Sequence, residues 1–184
     1  MTTPPVFTSG AILTAAQMNS IGMWKISSGT ASLSTTPTQF TSVFNNTDYP
    51  NYKLIITTTA ITGSNKILFK FVSGTTAAST TYYCGGIGGS NSSAATVYFE
   101  RSTNATSLSL GPTINSSNRV IGMDIIAPNQ AINTMYSGYY TESNNVDAFT
   151  FGGVHGVSTA YDGFQLETSS GTQTVSYQLY GYRA

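Results

Sequence analysis

The chain is written in short runs in which apolar residues alternate with Thr, Ser and Tyr, and Gly, Asn and Pro separate the runs. Alternation sustained over about four to eight residues marks a half-buried strand. The pattern predicts strands over 23–26, 39–44, 52–60, 66–72, 80–84, 96–100, 107–110, 120–126, 132–141, 148–152, 163–167 and 174–182, eleven or twelve in all. Ile67, Phe69 and Phe71 alternate with Lys66, Leu68 and Lys70, and Val175, Tyr177 and Leu179 share one face of the final run. The apolar run Leu54-Ile55-Ile56 predicts a strand buried on both faces. The tip Thr62-Gly63-Ser64-Asn65 then predicts a hairpin between 52–60 and 66–72. Strands at this spacing belong to a sandwich or barrel.

The opening segment breaks the pattern. Thr14-Ala15-Ala16-Gln17 has capping-box spacing, and Leu13 and Met18 occupy the two positions of a hydrophobic staple. A short helix is predicted from Ala15 to Ile21, with Gly22 at its C′ position. Pro4-Pro5 favours an extended arm ahead of it. A helix carrying Ile12, Leu13, Met18 and Ile21 cannot bury that face alone, so it must dock on something. The stretch from Gly85 to Ser93 reads as a flexible loop; it lacks GxGxxG and a following helix, and so is no phosphate cradle.

Composition supports the β reading: Thr occurs 29 times and Ser 24 times, while strong helix formers are scarce. Only 8% of residues are charged, seven basic against seven acidic, and the basic ones are scattered. Counterion-driven nucleic-acid binding needs them clustered, so neither DNA nor RNA is an expected partner. With 40% hydrophobic residues the chain folds rather than staying disordered, and one domain is expected for this length. A surface of hydroxyls and amides has little charge repulsion to prevent self-association, so a homo-oligomer is expected. Cys84 stands alone, which excludes an intrachain disulfide and a Cys-based metal cluster. Met1 to Phe7 carries no basic residue and no apolar run reaches the length of a membrane span, which predicts neither classical secretion nor membrane insertion.

Chemistry has little to draw on. General acid–base work needs titratable groups gathered together, and the chain has one histidine, His155, and no GxSxG. The glycines around His155 predict a tight bend and a partly buried ring with satisfied hydrogen bonds; three copies of it on a trimer axis is the ion-binding alternative. Asn144-Asn145-Val146-Asp147 is the densest oxygen-rich segment, but one carboxylate suits a polar connection better than a calcium loop. Nothing local pairs Glu100, Asp124, Glu142 and Glu167 as a glycosidase requires. The expectation is a non-enzyme with no cofactor and no metal. Sugar contact fits the composition better, with Tyr82, Tyr83, Tyr139, Tyr140 and Tyr161 as candidates, Trp24 beside them. Within each adjacent pair the two tyrosines of a strand must face opposite sides, which leaves one of each pair free to be exposed.

Two segments resemble a known family. The opening, Phe7-Thr8-Ser9-Gly10-Ala11-Ile12-Leu13-Thr14-Ala15-Ala16-Gln17-Met18-Asn19, is similar to the start of small tail-fibre and related virion surface proteins of tailed bacteriophages. The end, Gly163-Phe164-Gln165-Leu166 through Tyr180-Gly181-Tyr182, looks like the closing strands of β-sandwich domains in phage fibres, and Asp124-Ile125-Ile126-Ala127-Pro128-Asn129 looks similar to a segment of such domains. The resemblance implies an all-β fold, an antiparallel jelly-roll-like β-sandwich over 28–184 with one short N-terminal helix in an arm over 1–27. It implies a virion protein assembled in the bacterial cytoplasm, often a homotrimer, whose arm anchors on other tail or capsid proteins through Phe7, Ile12, Leu13, Met18 and Ile21. The sandwich would then touch host surface glycan. A short tail fibre leads, a capsid decoration protein is the alternative, and a glycan-degrading spike ranks last.

Overall fold

The computed structural model describes residues 22–45, 49–90, 96–111, 113, 118–142 and 147–182. The helix expected over 15–21 and all five anchor residues lie outside these. Among the described residues thirteen strands succeed one another: β1 (Met23–Leu33), β2 (Thr38–Phe40), β3 (Asn51–Thr62), β4 (Ile67–Ser73), β5 (Thr76–Ala77), β6 (Tyr82–Ser90) and β7 (Thr96–Ala105). β8 (Leu108–Ser109), β9 (Arg119–Ile126), β10 (Thr134–Glu142), β11 (Ala148–His155), β12 (Gly163–Thr168) and β13 (Thr172–Tyr182) complete the domain. The fold is all-β and every pairing is antiparallel.

The large sheet runs β1-β13-β3-β9-β10-β11-β6-β7, and the small one runs β2-β12-β4 with β5 and β8 end to end on the far edge of β4. The core lies between them. Tyr52, Leu54 and Ile56 of β3 and Ile121, Met123 and Ile125 of β9 face Phe69 and Phe71 of β4 and Phe164 and Leu166 of β12, all essentially inaccessible to water. Ring contacts join the layers, Phe40 to Tyr177 at 4.6 Å and Phe71 to Tyr82 at 6.1 Å. Each such side chain stabilises the fold by about 1.5–3 kcal/mol over leaving it exposed.

Four expectations are corrected. The predicted hairpin between 52–60 and 66–72 does not form: β3 pairs with β13 and β9 in the large sheet, while β4 pairs with β12 in the small one. The chain instead crosses between layers through Gly63, held at φ 75°, and Asn65, which is fully buried. A polar chain fastens this corner: Thr58 Oγ1 donates to Gln173 Oε1 at 3.3 Å, Gln173 Nε2 donates to Asn65 Oδ1, and Asn65 Nδ2 donates to the Thr62 carbonyl at 3.3 Å. The second correction concerns Leu54-Ile55-Ile56, which is buried on one face only, with Ile55 half-exposed on the outside. Third, Gly85 to Gly89 is not a loop but the body of β6, hydrogen-bonded to β11 on one side and β7 on the other. Fourth, the glycines before His155 form no bend; 151–155 is the second half of β11.

Candidate functional site

β9, β10, β11, β6 and β7 are adjacent, and their register lines up the outward side chains in rows across five strands. One row is Val120, Thr141, Ala148, Gly89, Val97; the next is Gly122, Tyr139, Thr150, Ile87, Phe99. A third is Asp124, Ser137, Gly152, Gly85, Arg101, and a fourth is Ile126, Met135, Val154, Tyr83. Seven of the nine exposed large apolar side chains among the described residues stand on this face: Tyr83, Ile87, Val97, Phe99, Val120, Met135 and Tyr139. Phe99 is 77% exposed. Gly122 is part of the construction, because a Cβ there would lie 2.6 Å from the Tyr139 ring, which crosses β9 where no side chain stands.

The other outer surfaces differ. On the outer side of the small sheet Lys70 pairs with Glu167 at 2.8 Å, and Gln165, itself buried, donates to Glu167 at 3.0 Å and accepts from Gln39 at 3.2 Å. On β3 the outward Lys53 pairs with Asp124 at 3.1 Å, at the boundary of the apolar rows. Between the second and fourth rows runs a shallow trough of about 370 Å³, floored by Gly85, Gly152 and Gly153 and walled by Tyr83, Val154 and Arg101.

A deeper cleft of about 500 Å³ opens where β7 diverges from the small sheet. Lys66 and Glu100, 3.4 Å apart, stand beside Ser102, Ser107 and Ser109, with Leu68, Cys84 and Phe149 lining it. Burial pushes the Cys84 thiol up to about 11, helped by the negative Glu100, so it carries no thiolate at neutral pH.

The buried titratable groups fall into separate small clusters. His155 is inaccessible to water, and its Nε2 shares a 2.6 Å hydrogen bond with the Tyr161 hydroxyl. Burial lowers its pKa, and the Thr81 backbone beside the ring opposes that shift. A ring enclosed in this way cannot meet two copies of itself on a trimer axis. Arg119, also inaccessible, lies over the Tyr140 ring at 5.6 Å; burial lowers its pKa to about 10 despite the opposing pull of Tyr140 and Glu142. Glu142 is raised, by burial first, with Arg119 opposing. Among the described residues no three His, Cys, Asp or Glu side chains come close enough to hold a metal ion.

The five sugar-contact candidates separate sharply. Tyr82 and Tyr140 are fully buried and Tyr161 nearly so; Tyr82 accepts from the Phe71 amide at 2.8 Å as a core residue. Tyr83 and Tyr139, 39% and 42% exposed, are on the apolar outer face. Trp24 is on β1 and stacks on Tyr49 at 6.3 Å. Of the oxygen-rich segment 144–147, only Asp147 is described; its carbonyl accepts from the Glu142 amide at 2.9 Å. Sequence reasoning missed the outer face itself, because Ile87, Phe99, Met135 and Tyr139 become neighbours only through the strand order. No family model, no curated protein and no solved structure matches this chain.

Proposed function

We propose that this chain is a non-catalytic structural protein of a tailed-bacteriophage particle, a short fibre that attaches through residues 4–21 and projects its two-sheet domain. The observation that carries the reading is the outer face of β9, β10, β11, β6 and β7, where, among the described residues, seven large apolar side chains stand exposed and the only charges are Asp124 and Arg101. Such a face serves contact with other macromolecules. The opening and closing segments supply the kind of particle. The fold is read as jelly-roll-like because β3 leads into β4 and β12 into β13, and these crossing segments stay paired in both layers, β3 with β13 and β4 with β12.

Antibody labelling of purified particles tests the proposal. Label on the tail supports the short fibre, label on the capsid with normal adsorption moves the chain to the decoration role, and particles without the protein overturn both. Host-glycan contact is a second reading, favoured by the glycine-floored trough beside Tyr83. A glycan array probed with the full chain checks it, and no bound glycan defeats it.

A further inference from the structure

We infer that the outer face of β9, β10, β11, β6 and β7 is where a second copy of this chain packs, sheet against sheet, about a two-fold axis parallel to β11. The inference rests on reading the domain as an assembling structural unit. Size is the first argument. Five strands about 4.8 Å apart and rows spanning seven residues at about 3.4 Å each give a footprint of roughly 600 Å². That is near the ~800 Å² each partner brings to a stable interface. It carries two Tyr, a Phe, a Met and an Arg and no Lys or Glu, in keeping with the centre of interfaces.

Charge selects a second copy over an unrelated partner. Asp124 on β9 and Arg101 on β7 end the same row, each two strands from Gly152 on the central strand β11. Rotation about an axis along β11 exchanges those two edges, so Arg101 of each copy meets the partner's Asp124. Asp124 already holds Lys53 at 3.1 Å, yet its side chain is 36% exposed and its oxygens can accept again. The same rotation sets Phe99 against the partner's Gly122, where the Tyr139 ring lies. The small residues Ser137, Gly152 and Gly85 between the apolar rows let the faces close to the ~10 Å of packed sheets, strands aligned within about 30°. A sugar in the trough would leave Val97, Phe99 and Val120 in water, whereas a second copy covers all of them.

Sedimentation of the full chain over a concentration series provides the test. The wild type is expected to dimerise, and Phe99→Glu, which alters a side chain already in water, is expected to stay folded and weaken the dimer by more than tenfold. In a Cys84→Ser background, Arg101→Cys combined with Asp124→Cys should give a covalent dimer with a short bis-maleimide, and neither single cysteine should. A monomeric wild type, a Phe99→Glu variant that dimerises as the wild type does, or a double-cysteine variant that stays uncrosslinked would each overturn the inference. Protein that is found on particles but sediments as a monomer overturns this inference and leaves the proposed function standing.

Discussion

Tyr82 and Tyr83 are neighbours on one strand, yet one is sealed beneath Phe71 and the other meets solvent. The sequence shows that such a pair must divide, because successive side chains of a strand point to opposite faces. It does not show which member goes inside; that depends on the register with β11, which sets Tyr82 opposite His155. His155 was legible as a structural histidine, but its depth was not, since the glycines before it look like a bend. Burial lowers its pKa, so between its folded value and the ~6.5 of an unfolded chain the unfolded state binds more protons. Stability is therefore expected to be full above about pH 6.5 and to fall as the pH drops below it. Each kcal/mol lost moves the thermal midpoint by about 2–4 °C for a domain of this size. Thermal unfolding followed from pH 7.5 to 5.5 should show the drop, and His155→Asn should flatten that segment of the curve while lowering stability overall.

On a single strand, glycine composition misled. Gly85 to Gly89 reads as a flexible loop by residue type, but β6 runs through it because its neighbours need the room. A Cβ at Gly86 would lie 2.2 Å from the Phe149 ring and 2.7 Å from the Thr150 carbonyl, whereas at Gly85 it would meet nothing within 4 Å. Gly86→Ala is thus expected to destabilise by about 1–3 kcal/mol through overpacking, and Gly85→Ala to be neutral or slightly stabilising. Chemical denaturation of the two variants side by side checks this; equal midpoints would contradict the packing account. At the corner after β3, Gln173→Leu deprives Thr58 and Asn65 of their buried partner and should cost about 1–3 kcal/mol, read by the same measurement.

At the level of the molecule, the all-β class and most strand positions were legible from alternation, because that period reflects one buried face per strand. Sheet membership was not: the turn at 62–65 carries hairpin residues, and only the buried Asn65 and its partners show that the chain changes layer there. All thirteen strands lie beyond residue 21, so a chain lacking residues 1–21 is expected to keep its strand signal in circular dichroism and to be lost from particles. Such a truncated chain recovered on particles would refute the anchor. β13, the last of the described strands in chain order, sits between β1 and β3 in the large sheet. Until its eleven residues leave the ribosome, β1 has no strand to pair with among the described residues and β3 presents a bare edge. The domain therefore closes only once β13 has been made, and a chain cut short within β13 would be a sticky fragment in place of a shortened protein.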